Sequence, residues 1–230
     1  MESSVLGVIM AYIDFITDAH KKTKRDYLAR VNEYPKAEAI KIAKKYGQEY
    51  WDGDRKFGYG GYRYDGRWRV VAEKIAAHYK LKPGQKVLDV GCGKGFLLYE
   101  LTQVIPGIVV TGIDISEYAI QNSKEEVRAN LRMHDASKKL LFRDKEFDLV
   151  ISLNTLHNLY LYDVLEALKE IERVGKENKY IVVESYRTEE EKVNLMYWVL
   201  TGECFLAPKE WEWLYSLARY TGDYSFIYFE

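Results

Sequence analysis

Cysteine and histidine are scarce in this chain: two of one and four of the other in 230 residues. Cys92 lies in a glycine turn and Cys204 in a late loop. Two unpatterned cysteines exclude a disulfide framework and point to a reducing, cytoplasmic compartment. His20, His78, His134 and His157 show no ligand spacing, so no metal is expected. No apolar run approaches the roughly 20 residues of a membrane span. The apolar segment Val5 to Ile16 follows Glu2 and is interrupted by Asp14; it lacks the basic start of a signal peptide. Net charge is −1, so no global field favours nucleic acid or membrane. What remains is an ordinary soluble composition, 47% hydrophobic and 30% charged, with 20 tyrosines. Tyrosine joins apolar area to a hydroxyl, which suits the lining of a polar pocket.

The informative stretch is Val87-Leu88-Asp89-Val90-Gly91-Cys92-Gly93-Lys94-Gly95-Phe96. An apolar run breaks into three alternate glycines, and Leu97, Leu98, Leu101 and Val104 then follow at helical spacing. The pattern predicts strand, tight turn, helix. Glycines at such a turn admit a ligand close to the backbone, and the helix N-terminus offers free N–H groups. The dinucleotide fingerprint G-x-G-x-x-G is absent, because Phe96 stands where its third glycine would fall. Asp89 would repel a pyrophosphate and suit an ammonium.

Asp89-x-Gly91-x-Gly93-x-Gly95 resembles motif I of the class I S-adenosylmethionine-dependent methyltransferases. That resemblance implies a cofactor site made of Asp89, Gly91, Cys92, Gly93 and Gly95, with Asp89 supporting the methionine ammonium. The next strand, 108–113, ends in Asp114-Ile115, about 20 residues on, where a carboxylate suits a ribose. The third ends at Asp135-Ala136, which by resemblance reach the adenine amino group and ring. Three acids at three successive strand ends form the specific constellation. The fourth strand, 147–152, leads into Asn154-Thr155-Leu156-His157-Asn158. By resemblance this loop lies beside the transferring methyl. His157 is the candidate general base, since its free pKa is near neutrality; Asn154 and Asn158 are orienters, Asn154 also touching the cofactor. The fifth strand ends in Glu184, an alternative base, followed by Tyr186.

Strands at 86–90, 108–113, 131–134, 147–152 and 179–184 alternate with helices at 95–104, 116–130 and 161–174. The expected fold is therefore α/β: a doubly wound, mostly parallel, Rossmann-like sheet. Residues 1–84 are expected to form a helical N-terminal cap, and 85–230 the cofactor-binding domain with a helical insert at 185–207. Within the cap, residues 3–31 read as a helix on Val5, Ile9, Tyr12, Ile13 and Ile16, with a basic run Lys21 to Arg25. Pro35 opens a second helix to Tyr46. Residues 48–69 are rich in Gly, Tyr and Arg and read as an ordered lid or substrate loop. Tyr59, Tyr62 and Tyr64 would stack or hydrogen-bond there. Arg63, Arg67 and Arg69 would hold an acidic group, or else pair with Asp52, Asp54 and Asp65. In the insert, Tyr197, Trp198 and Phe205 would wall the pocket. Only one final strand, 224–229, is visible where the family normally has two.

The resemblance implies methyl transfer from S-adenosylmethionine, leaving S-adenosylhomocysteine, to an oxygen or nitrogen of a polar small molecule. Near-zero charge argues against RNA, and the loop after the fourth strand is not Asn-Pro-Pro-Tyr. A NAD-linked oxidoreductase and a non-catalytic cofactor-binding module are the competing readings. Two chains pairing through the N-terminal helices is a further expectation.

Overall fold

A computed structural model describes residues 10–17 and 25–230. Its centre is a six-stranded parallel sheet in the order β3-β2-β1-β4-β5-β6. The strands are β1 (Lys86–Val90), β2 (Val109–Asp114), β3 (Leu131–Met133), β4 (Phe147–Leu153), β5 (Gly175–Glu184) and β6 (Asp223–Ile227). Their apolar runs are buried on both faces, as parallel strands require. One core cluster packs Val71, Ile75, Leu98 and Leu101 against Val87, Leu149 and Tyr180. The other packs Leu168, Ile171, Trp211 and Leu214 against Leu88, Val150 and Ile181. Chain order reverses between β1 and β4, so their carboxyl ends open the crevice where such sheets bind ligands.

Ten α-helices are described: α1 (Tyr27–Asn32), α2 (Lys36–Ala43), α3 (Gln48–Trp51), α4 (Arg69–His78), α5 (Phe96–Val104), α6 (Glu117–Gln121), α7 (Glu125–Arg128), α8 (Leu161–Val174), α9 (Glu189–Trp198) and α10 (Pro208–Ala218). The helix expected over 116–130 is broken, because Ser123 bonds back to Ile120 and the Lys124 N–H turns to the Lys94 carbonyl. The helix expected to reach Tyr46 ends at Ala43, and Tyr46 takes a left-handed φ of 48°.

The N-terminal reading needs the larger correction. Val5, Ile9 and Lys21 to Lys24 lie outside the described residues, but 10–16 are not helical. Tyr12 pairs in parallel with Tyr224; Ile13 N–H donates to the Tyr224 carbonyl at 2.9 Å, and Tyr224 N–H to the Ala11 carbonyl at 3.0 Å. The outer edge of β6 carries unpaired backbone groups, and pairing them outweighs a weak helical period. The sheet thus finishes with one parallel strand flanked by this extended segment, rather than with the family's usual last pair.

Candidate cofactor and acceptor cavities

Packing shapes the glycine turn. Gly91 lies at φ 86°, and the Thr155 hydroxyl occupies the space its Cβ would need. Gly93 lies at φ 53° beneath the Trp51 ring, whose edge would be 2.9 Å from a Cβ. Both conformations are left-handed and favour glycine. Gly95, at φ 69°, is the N-cap of α5 and faces Val127 and Leu131, so it shapes the turn without lining a cavity.

The loop over 48–62 is tied onto this turn. Buried Lys94 donates to both Asp52 oxygens, at 2.8 and 2.6 Å, and to the Tyr62 carbonyl at 2.9 Å. Tyr118 donates to Asp52 at 2.9 Å, and the Trp51 indole to Ser116 at 2.8 Å. Trp51 and Tyr59 stack at 5.2 Å, and Tyr62 and Phe96 at 5.1 Å. Gly58 allows a close pass: a Cβ there would collide with the Tyr50 carbonyl. The loop is therefore an ordered wall.

Two cavities adjoin this wall. The first, about 310 Å³, is lined by Asp89, Gly91, Cys92, Gly93, Asp114, Ile115, Asp135, Ala136 and Asn154, which are nine of the ten expected cofactor positions. Tyr46, Tyr50, Trp51, His134 and Glu203 line it too; none was singled out for a cofactor role, and none belongs to a recognisable motif. Asp114 is nearly buried and accepts from Gly93 N–H at 2.7 Å and Ser116 N–H at 2.8 Å. Burial raises its pKa, and these backbone contacts pull against that. Asp89 is only 4% exposed, and its Oδ1 has no hydrogen-bond partner. Burial, and then the charge of Asp114, push its carboxyl up to about 8.

The second cavity, about 350 Å³, shares Tyr50, Tyr59, Tyr62, Trp68, Phe96, Asn154 and Asn158 with the first. It adds His157, Glu184, Arg63 and Arg67 from the expected set, and Trp198 from the insert. Asn154 adopts a left-handed φ of 57°. The Oδ1 atoms of Asn154 and Asn158 are buried without partners, and so is Glu184 Oε2. His157 Nδ1 accepts from Glu184 N–H at 3.3 Å, while its Nε2 stands 3.2 Å from Glu184 Oε2, outside hydrogen-bonding alignment. Burial holds His157 neutral, its pKa brought down to about 3, and pushes Glu184 up to about 8.

Other expected residues are elsewhere. Tyr64 lines neither cavity; its hydroxyl donates to Glu100 at 2.5 Å. Tyr186 lines neither, lying beneath the Lys192 ammonium at 5.0 Å. Tyr197 and Phe205 line neither as well. Arg67 is paired with Asp65 at 2.6 Å, and Arg69 with Glu73 and Glu100. Arg63 is exposed at the rim of the second cavity. Among the described residues no cluster of three or more His, Cys, Asp or Glu could hold a metal.

A ligand with an ammonium, a ribose and a purine fits these donors and acceptors. The acceptor oxygens of Asp89, Asn154 and Asn158 are unsatisfied, and buried polar atoms left so are rare. Fold and cavity define the class of S-adenosylmethionine-dependent methyltransferase domains. A family described as "Methyltransferase domain" matches residues 81–222, and the chain belongs to that family. S-adenosylmethionine is the cofactor of this class. Among its relatives, the ubiquinone biosynthesis O-methyltransferase of Pelagibacter ubique is 28% identical over 157 residues, 64% of this chain and 63% of that one. The demethylmenaquinone methyltransferase of Bacillus cytotoxicus is 36% identical over 115 residues, 47% of this chain and 46% of that one. A solved SAM-dependent methyltransferase from Archaeoglobus fulgidus superposes with a TM-score of 0.52 at 26% identity, covering 66% of this chain and 68% of its own. The chain spans less than two thirds of the length of either curated relative.

Proposed function

We propose that this protein transfers the methyl group of S-adenosylmethionine to an oxygen or nitrogen of a polar small molecule held in the second cavity. One observation carries the reading: the cavity lined by Asp89, Asp114 and Asp135 shares the wall of Asn154, Asn158, Tyr59 and Tyr62 with the cavity holding Glu184. The cofactor supplies a methyl already activated on a sulfonium, which departs as a neutral thioether. The chain's own residues must therefore align the acceptor, exclude water and take a proton. In the proposal Asp89 holds the amino acid ammonium, Asp114 the ribose hydroxyls, and Asp135 with the Ala136 backbone the adenine. Tyr59, stacked on Trp51, and Tyr62, stacked on Phe96, close the site from water.

Glu184 is the better proton acceptor of the two candidates. His157 spends its Nδ1 lone pair on the Glu184 backbone and turns Nε2 toward the Glu184 carboxyl. A histidine held neutral down to about pH 3 is a poor base, whereas a carboxyl near 8 is the stronger base in its ionised fraction, which grows as pH rises. In this scheme the acceptor's lone pair forms the bond to carbon as the sulfur–carbon bond breaks, and its proton passes to Glu184. His157 fixes the Glu184 backbone through its Nδ1 and packs beside that carboxyl.

The relatives' names refer to ubiquinone biosynthesis and to demethylmenaquinone. The arginines and buried carboxyl of the second cavity support a polar acceptor for this chain. Incubation with methyl-labelled S-adenosylmethionine and a metabolite extract, followed by mass spectrometry, should yield a labelled polar product. NAD binding without S-adenosylmethionine binding would favour the oxidoreductase reading. Cofactor binding with no labelled product from any extract would favour a non-catalytic module.

A further inference from the structure

The arginines predicted to grip an acidic acceptor are largely engaged elsewhere, and two others are better placed. Arg30 and Arg55 line the second cavity beside the Trp198 ring, with guanidinium carbons 4.6 and 5.0 Å from its centre. Neither forms an ion pair with a described carboxylate. Each is instead fixed by carbonyls. Arg30 Nε donates to Trp198 O at 2.8 Å and its Nη1 to Arg55 O at 2.9 Å. Arg55 Nη1 donates to Gly58 O at 3.2 Å and Tyr59 O at 2.7 Å. These bonds leave Nη2 of both side chains, and Nε of Arg55, without a hydrogen-bond acceptor among the described residues and the guanidinium planes already set.

This arrangement costs free energy without an anion. Burial first, and then the charge of Arg55, bring Arg30 down to about 10. Arg55 is lowered too, by burial and then by Arg25 against the partial pull of Tyr59. Ring contacts to Trp198 offset only part of that repulsion. Five arginines line the cavity, Arg25, Arg30, Arg55, Arg63 and Arg67, against the acids Asp65 and Glu184. Asp65 is neutralised by Arg67, and Glu184 is largely protonated near neutrality. The cavity is thus net positive, with preset forks of the shape that receives a carboxylate or phosphate.

We propose that Arg30 and Arg55 form an anion subsite within the acceptor cavity, so that the methyl acceptor carries a carboxylate or phosphate besides its nucleophilic oxygen or nitrogen. Calling the ligand a methyl acceptor rests on the function proposed above; the anion subsite itself does not.

The test uses the full chain, saturated with S-adenosylhomocysteine and titrated with inorganic phosphate and, separately, acetate at constant ionic strength. Binding is read by calorimetry. One or both anions should saturate, and the tighter one distinguishes phosphate from carboxylate. Arg30→Gln and Arg55→Gln should each weaken that binding about tenfold or more, with S-adenosylhomocysteine affinity retained. Arg30→Lys, which keeps charge and loses the fork, should fall between wild type and Arg30→Gln, and thermal melts verify that it folds. No saturable anion binding, or binding unchanged in Arg30→Gln, overturns the subsite. If S-adenosylhomocysteine itself does not bind, the methyltransferase reading fails, while anion titration of the free protein still tests the arginines.

Discussion

Replacing Asp89 by Asn should make the ligand-free protein more stable and the cofactor site worse. Asp89 is 4% exposed, and its carboxyl is lifted from 3.8 to about 8, by burial and then by Asp114. Between those two values the folded state holds a proton that the unfolded chain has lost. Stability from this group is therefore full below about pH 4 and declines as pH rises to about 8. One pKa unit is about 1.4 kcal/mol, so the decline by pH 7 is at most about 4 kcal/mol, less if water enters the cavity. Asn keeps the shape and removes the titration. Thermal unfolding of the ligand-free proteins should show Asp89→Asn melting several degrees higher at pH 8, at about 2–4 °C per kcal/mol, and matching wild type at pH 4–5. Calorimetry should show S-adenosylhomocysteine bound about 10- to 100-fold more weakly, the loss of a charge-assisted bond to an ammonium. Parallel pH profiles for the two proteins, or an unchanged affinity, would refute both the buried charge and its role.

Glu184→Gln should lower turnover about 10²- to 10⁴-fold with cofactor affinity retained, and wild-type kcat/KM should climb with pH, half-maximal near 8, toward a plateau about one unit higher; a flat wild-type profile removes Glu184 as the base. Lys94→Ala leaves half-buried Asp52 with only the Tyr62 N–H and the Tyr118 hydroxyl and should cost about 1–3 kcal/mol, with faster hydrogen exchange over 48–62, since Lys94 ties this loop to the glycine turn. Unchanged protection there would mean that aromatic stacking alone fixes the wall. Gly91→Ala combines a left-handed φ with a collision against Thr155 and should cost about 2–4 kcal/mol in denaturant unfolding. Adding Thr155→Ala should recover the part due to collision; no recovery would leave backbone strain as the whole effect.

The sheet and the first cavity were legible in the chain because their signals are local. Strand runs, left-handed glycines and acids at strand ends are properties of neighbouring residues, and Asp89, Asp114 and Asp135 are brought together by any sheet of this winding. The final strand was equally plain, but its neighbour was not. The edge of β6 takes up residues 11–13 by hydrogen bonds across more than 200 positions, which no periodicity announces. The second cavity depended on long-range packing still more. Arg67 and Arg69 sit in the idiosyncratic loop that drew attention, yet each has a carboxylate within four residues and uses it. Arg30 and Arg55 belong to no motif, although Arg55 lies in that same loop. They line the second cavity together because α1, the 48–62 loop and Trp198 of α9 converge, leaving two guanidinium groups without an ion pair to a described carboxylate. The chain's local chemistry sets three acids at adjoining strand ends; the charge of the second cavity depends on how long-range packing pairs arginines with carboxylates, because a guanidinium keeps its charge wherever the fold leaves it.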